Sequence, residues 1–450
     1  MNQRQGSKPI SAARRRAYDI LYRVEAEQAY ASVLLAAISD SKLSREDRAL
    51  TQEIVLGVLR RRRLLDYFVE RYTGRSIEQL DLPVVIALRI GLYQIRYLAR
   101  IPRSAAVNES VNLVKRARVA SAAGLVNAVL RNAAARLGEA AGEDITDPLE
   151  RASVELSHPD WMLRRWRVML GEEDALRLAL ANNSPPPTAF RVNTLRARGD
   201  EVLAYLKARD VSARESEVAA GAFVLESGSA ANVNEAAREG LIYIQDEASQ
   251  LVSILLDPRP GHRLLDLCAA PGSKSSHIAA LADDKAQIIA CDLHHHRLAA
   301  VIATCQRLGI KSIDALTLDA TRELPFTEAP RFDRVLVDAP CSGTGTLRGN
   351  PEIKWRLFPD DIIRLADLQL DMLKQAANTV ASGGRLVYST CSIEPEENEE
   401  VIRRFLEWSP TFRVIKPSAH FDLITAEGFV RTFPHRHGTD GFFVAVLEQQ

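Results

Sequence analysis

At 450 residues the chain is long enough for two or three separately cored domains. Its 46% hydrophobic and 26% charged content excludes disordered, collagenous and disulfide-scaffold classes. The formal net charge is zero, yet residues 1–140 hold 24 Lys and Arg against 13 Asp and Glu, leaving 34 against 45 in the rest. A basic part joined to an acidic one points to an anionic partner at the N-terminal end, the plainer alternative being a solvated basic surface.

Met1–Arg16 is polar and basic, and no run approaches the roughly 18 apolar residues of a membrane span, so neither secretion nor a membrane is expected. Cys268, Cys291, Cys305, Cys341 and Cys391 make an odd set without a C-x-x-C pair, which argues against disulfides and structural zinc and for reduced thiols in a cytoplasm.

From Ser11 to Leu137, stretches such as "REDRALTQEIVLGVLRRRRLLDYFVERY" and "LPVVIALRIGLYQIRYL" carry apolar residues at three- and four-residue spacing, predicting an all-α domain over residues 1–140. Residues 141–184 are mixed and polar, a linker and helical connection. Between 185 and 257, short strands ("TAFRVNTL", "AFVLE", "GLIYIQ") alternate with short helices, predicting a small α+β module. From 258 to 450 the rhythm is regular: "RLLDLCA", "QIIACDL", "DALTLDA", "RFDRVLVDAP" and "GGRLVYSTC" are apolar strands with helical segments between most of them. That alternation predicts an α/β Rossmann-like domain whose ligands lie beyond the carboxyl ends of the strands.

The strand ends carry the chemistry. "LLDLCAAPGSKSSHIA" runs from strand through a turn of small residues into a helix, but it is neither a P-loop nor G-x-G-x-x-G, so it has no phosphate clasp. Asp292 ends the second strand 20 residues after Gly272, a spacing at which a carboxylate receives a ribose diol; capping of the helix that follows is the alternative. Asp319 and Asp338 end the third and fourth strands. A nucleoside-bearing cofactor without phosphate contacts fits, and S-adenosylmethionine is of that kind.

"DLCAAPGSK", "VLVDAPCSGTG", "NPEIKW" and "YSTCSIEPEENEE" resemble, in order and spacing, the signature segments of the Nop2/Sun family of RNA cytosine-5 methyltransferases. "LRIGLYQIRYLARIPRSAAVNESVNLVKR" and "AGLVNAVLRNAA" resemble a NusB-type RNA-binding domain, a pairing found in the family's 16S ribosomal RNA enzymes. The resemblance spans almost the whole chain. It implies that Cys268, Ala269, Ala270, Pro271, Gly272, Ser273 and Lys274 line the methionine and ribose of S-adenosylmethionine, with Asp292 at the ribose, Asp319 by the adenine and Asp338 near both the cofactor's amino-acid end and the target base. Ser273 departs from the family's usual glycine, and a serine there would penalise a positive φ.

Carbon-5 of cytosine becomes nucleophilic only after a thiolate adds to carbon-6, which calls for a cysteine. "DAPC" puts Cys341 where amine methyltransferases have a stacking aromatic. Analogy with DNA cytosine-5 enzymes would make Cys341 the nucleophile, whereas the Nop2/Sun resemblance assigns that role to Cys391 and product release to Cys341; the latter is preferred.

Arg14–Arg16 and Arg60–Arg63 are expected to meet phosphates, and Arg191 and Asn193, in "FRVNTLR", which resembles a segment preceding the family's catalytic domain, are expected near RNA. His294, His295 and His296 are consecutive and share no helix face, so no metal is expected. The expected partner is 16S ribosomal RNA, free or partly assembled, acted on by a monomer; transfer RNA, or a non-catalytic RNA-binding role, are the alternatives.

Overall fold

The computed structural model describes residues 10–38, 43–326, 331–417 and 421–450, which form two compact units. The first comprises the chain up to Pro185 together with Leu347–Arg356. Its main helices are Ala12–Ala26, Arg45–Arg60, Arg62–Thr73, Leu82–Tyr97, Arg103–Arg116 and Ala123–Ala135. Leu82–Tyr97 is apolar on all sides and is buried continuously from Val84 to Ile95, as a central helix must be. Close approach there needs glycine: a Cβ on Gly91 would fall 2.4 Å from the Leu130 side chain. Of the two arginines in that helix, the buried Arg89 is compensated by two bonds to Asp66 (2.6 and 2.8 Å) and one to Glu25 (3.0 Å).

The connection at 141–184 is largely helical, with Pro148–Glu155, Asp160–Leu170 and Glu172–Asn182, and belongs to this unit. So does the "NPEIKW" segment, although it arises between two elements of the other unit. Lys354 is buried with its ammonium on Arg60 O (2.9 Å), Ser157 O (2.8 Å) and Asn183 Oδ1 (3.3 Å). The arginine clusters are correspondingly less available than expected. Arg14 is buried against Gln94 and Glu109, Arg60 donates to Arg348 O, Arg62 pairs with Glu25, and Arg63 pairs with Asp160. Arg15 and Arg16 are exposed.

The second unit opens with a small antiparallel sheet of β1 (Ala189–Val192), β2 (Ser212–Glu215), β3 (Ala222–Ser227) and β4 (Ile242–Ile244), in the order β2-β3-β1-β4. Helices Gly199–Lys207 and Ala230–Arg238 share its core with Phe190, Phe223 and Ile242. Arg191 and Asn193 correct the expectation of an RNA-facing pair, since they are 2% and 1% exposed. Arg191 donates to Gln245 Oε1 (3.1 Å) and Ser276 Oγ (2.8 Å), and Asn193 to Gly240 O and Leu308 O (2.8 and 2.9 Å). Their bonds to Ser276 and Leu308 fasten the small sheet to the helices Ser273–Leu281 and His295–Leu308, because a buried donor must find an acceptor.

The larger sheet contains β5 (Arg263–Asp266), β6 (Gln287–Asp292), β7 (Ile313–Thr317), β8 (Phe332–Asp338), β9 (Val380–Thr390), β10 (Phe412–Val414), β11 (Val430–Arg431) and β12 (Phe443–Gln449). The order along the main path is β10-β12-β9-β8-β5-β6-β7. β5 to β9 pair in parallel, and β12 returns antiparallel beside β9, with Phe443 opposite Thr390. The order reverses between β5 and β8, and a ligand crevice is expected at such a switch point.

Candidate active site

The turn after β5 is built around a buried carboxylate. Asp266 accepts the Cys268 N–H (3.3 Å) on one oxygen and the Ser275 hydroxyl (2.6 Å) on the other, stapling the loop to the helix Ser273–Leu281. Burial, with the charge of Asp338 adding, pushes Asp266 up to about 6. Gly272 takes φ +98, and a Cβ there would lie 3.1 Å from Val301 Cα. Ser273 is the first helical residue and not among the positive-φ positions, so the unusual serine occupies a conformation it tolerates.

Lys274, in the first turn of that helix, is buried and donates to Asp338 Oδ2 at 2.7 Å. The Ser389 hydroxyl donates to Asp338 Oδ1 at 2.8 Å, so the end of β9 helps hold the end of β8. Although burial opposes it, the charge of Asp338 leads the interactions that raise the Lys274 pKa, and Cys391 contributes in the same sense. Lys274 is thus a buried positive charge within electrostatic reach of a thiol.

Asp292 closes β6 and is 3% exposed. It accepts the His294 N–H (2.9 Å) and pairs with Arg297 (3.0 Å), so its helix-start role is realised while further lone pairs remain. Asp319 lies two residues beyond β7 and accepts both N–H and O–H of Thr321 (3.0 and 2.6 Å), which hold its carboxyl below the ordinary range.

Cys341 and Cys391 follow β8 and β9, and their sulfurs are 3.3 Å apart. The hydrogen bond to Cys391 comes first among the causes that push the Cys341 thiol far up, followed by desolvation and the charges of Cys391 and Glu397. Either sulfur of the pair can donate to the other. The other thiols are raised by desolvation: Cys305 to about 11, and Cys268 and Cys291 higher still.

Behind the two thiols lies Glu397, fully buried, whose carboxylate receives donors from Ser342, Ser392 and Gln369. As a sequence, "EPEENEE" reads as the acids of a helix start, where carboxylates suit the positive end of the dipole. Glu399 and Glu400 do occupy the first turn of Glu399–Trp408, but Glu397 precedes that helix and belongs to the site. Asp266, Ser389 and Gln369 were also missed, and no local pattern marks them: their partners lie 9, 51 and 28 residues away. The rings of His294 and His296 stack 5.5 Å apart, and no cluster of His, Cys, Asp and Glu suited to a metal occurs among the described residues. No helix among them is long and apolar enough to cross a membrane.

Residues 253–448 match the family described as 16S rRNA methyltransferase RsmB/F, residues 11–135 the NusB family, and residues 158–232 a ferredoxin-like domain described as Methyltr_RsmF/B-like. The chain is 36% identical over 443 residues to the probable ribosomal RNA small subunit methyltransferase B of Bacillus subtilis strain 168, covering 96% of this chain and 98% of that protein. It is 34% identical over 441 residues to ribosomal RNA small subunit methyltransferase B of Pseudomonas putida, covering 94% and 98%. The crystal structure of PH0851 is similar with a TM-score of 0.83 at 30% identity, covering 99% of this chain and all of that one.

Proposed function

Because the chain belongs to the family of ribosomal RNA small subunit methyltransferase B, we propose that it methylates carbon-5 of one cytosine in 16S ribosomal RNA, with Cys391 as nucleophile. The cofactor is S-adenosylmethionine, and the residues fit it. Lys274, the cation of the loop after β5, is committed to Asp338, so nothing in that loop clasps a phosphate. Ala269, Ala270 and Gly272 keep the loop small, and the Asp292 and Asp319 carboxylates at adjacent strand ends suit hydroxyl and amine donors of a nucleoside. When bound, S-adenosylmethionine supplies an electrophilic methyl group.

The observation that supports the reading is a pair of thiols 3.3 Å apart just past the ends of β8 and β9, beside the Lys274–Asp338 pair. The hydrogen bond to Cys391 and burial push the Cys341 thiol far up, which disfavours Cys341 as the attacking thiolate and supports Cys391 in that role. Cys391 sulfur bonds to carbon-6 and the carbon-5=carbon-6 π pair moves into the ring, where charge develops on N3 and O2. We assign the Lys274–Asp338 pair to meet that charge. Carbon-5, made nucleophilic by the adduct, takes the methyl group and then carries both it and its proton, while a Cys391 sulfur bonded to carbon is a poorer hydrogen-bond acceptor, which weakens the first cause of the raised Cys341 pKa. Cys341 can then lose its proton to solvent and accept the one from carbon-5; the freed pair re-forms the double bond and expels Cys391 as thiolate. The cytosine must be turned out of any stack to reach the sulfur. RNA capture is assigned to the basic helical domain, where Arg15 and Arg16 are exposed.

A 16S RNA transcript containing 5-fluorocytosine tests this, because fluorine cannot leave as a proton does. The adduct is expected on the Cys391 peptide, and Cys391→Ser should give neither adduct nor turnover. An adduct on Cys341 would reverse the assignment.

A further inference from the structure

A carboxylate taken out of water is costly unless donors replace its hydration. Glu397 is fully buried, and four donors converge on it. Oε1 accepts the Ser342 N–H (2.8 Å) and Gln369 Nε2 (3.0 Å), while Oε2 accepts the hydroxyls of Ser342 and of Ser392 (2.5 Å for the latter). Ser342 immediately follows Cys341, and Ser392 immediately follows Cys391. Gln369 also donates to Pro340 O (2.9 Å), the residue before Cys341, and the Tyr388 hydroxyl, from β9, is 2.5 Å from Glu397 O. One residue thus ties together the flanks of both thiols.

We propose that Glu397 is a positioning residue whose carboxylate joins the two cysteine loops and sets the 3.3 Å contact between Cys341 and Cys391. Its part in product release rests on the reaction proposed above. The loops leave adjacent parallel strands, and strand pairing ends at Asp338 and Ser389, so the sheet itself does not set the register of the thiols. Other links also cross between the loops: Gly345 N–H to Cys391 O (2.9 Å), Ile393 N–H to Thr344 Oγ1 (3.1 Å), and the Ser392 hydroxyl with those of Ser342 and Thr344 (3.1 and 3.2 Å). Loss of the carboxylate should therefore shift the thiols without unfolding the site. Glutamine offers one acceptor oxygen to the two N–H donors, and its amide can donate to hydroxyls that rotate to accept. It removes the charge while keeping the clamp; alanine removes both.

The first test needs no RNA. Diamide takes two electrons and two protons from the thiol pair, its N=N bond becoming a hydrazine as the Cys341–Cys391 disulfide forms, and the cross-linked peptide is followed by mass spectrometry in the full chain. Glu397→Ala should cross-link at least tenfold more slowly than Glu397→Gln, a comparison in which charge is removed on both sides. Equal rates would overturn the proposal. If Glu397→Ala does not give a folded protein by thermal melting, Ser392→Ala is read against wild type instead: about threefold slower cross-linking supports the clamp, and an unchanged rate refutes it. The second test uses 16S RNA and S-adenosylmethionine. Glu397→Ala should accumulate covalent enzyme–RNA adduct as Cys341→Ser does, with turnover at least tenfold down, and Glu397→Gln should stay within threefold of wild type. Adduct accumulating in Cys341→Ser but not in Glu397→Ala refutes the clamp's role in release; turnover retained by Cys391→Ser refutes the proposed reaction and leaves the cross-linking result standing.

Discussion

Lys274 and Lys354 are both buried, each comes from a signature segment, and the two regions treat them oppositely. Lys274, after β5, has Asp338 at 2.7 Å and is held charged. Lys354, in the helical unit, has three uncharged oxygens and no carboxylate among those contacts, and burial, with Arg61 and Arg60 adding, pushes its pKa well down. A buried ammonium facing a carboxylate is a fixed dipole available to a reaction. One surrounded by neutral acceptors has its three N–H groups used up in holding chain segments together. Presence in a family motif therefore does not separate chemistry from architecture; the charge of the partner does.

The largest effect should follow from removing the first lysine. Lys274→Met keeps the stem but leaves Asp338 with the Ser389 hydroxyl as its remaining described partner. Turnover measured with tritiated S-adenosylmethionine should fall about 10³-fold, or about 4 kcal/mol, at saturating cofactor. A loss below tenfold would mean that Lys274 is architectural like Lys354, and the contrast would collapse.

The parallel sheet could be read from the sequence because its strands are buried on both faces, so "LLDL", "IIACD" and "VLVD" stand out as apolar runs. The same runs end at or just before Asp292, Asp338, Cys341 and Cys391, so their places at strand ends follow from the pattern, while the roles expected of them rest on the family resemblance. The C-terminal β12, equally apolar in "FVAVL", was left unassigned, because a strand that returns antiparallel has no place in the alternation from which the others were read. Arg191 and Asn193 are expected near RNA on the resemblance of "FRVNTLR" to a family segment, and such a resemblance does not say which way a side chain faces. Their actual acceptors, Ser276 and Leu308, lie 85 and 115 residues on, beyond the reach of local pattern. Glu397 failed for the same reason: one acid in a run of acids is singled out by Ser342, 55 residues earlier.

A second effect concerns the carboxylate beneath the Lys274 loop. Asp266 is raised to about 6 in the folded chain, against an ordinary value near 4. The raised value means that the folded state holds this proton more tightly. The resulting stability is present in full below about pH 4 and is lost as pH rises through 6, a span of about 3 kcal/mol. Asp266→Asn has no such proton. Its stability relative to wild type, followed by urea unfolding, should therefore improve as pH goes from 5 to 7.5. A difference that stays flat over that range would show that the loop carboxyl is not strained by burial, and that Lys274 alone governs the electrostatics there.

The smallest effect is the counterpart on the other lysine. Lys354→Met relieves the burial of an ammonium but strands Arg60 O, Ser157 O and Asn183 Oδ1. Each lost acceptor costs about 1 kcal/mol when it stays buried. Relief of the uncompensated charge returns part of that, because apolar replacements of buried ions are often neutral or better. The balance expected is a loss of about 2 kcal/mol, seen as a fall of about 5 °C in the melting of the helical unit. Turnover per folded molecule should stay within twofold of wild type, since Lys354 touches neither thiol nor the Lys274–Asp338 pair. A rise in melting temperature would mean that desolvation outweighs the three hydrogen bonds, and that the lysine is kept for the register of the captured segment at a cost in stability. A large fall in turnover with melting unchanged would make Lys354 the second chemical lysine, and the distinction by partner charge would fail.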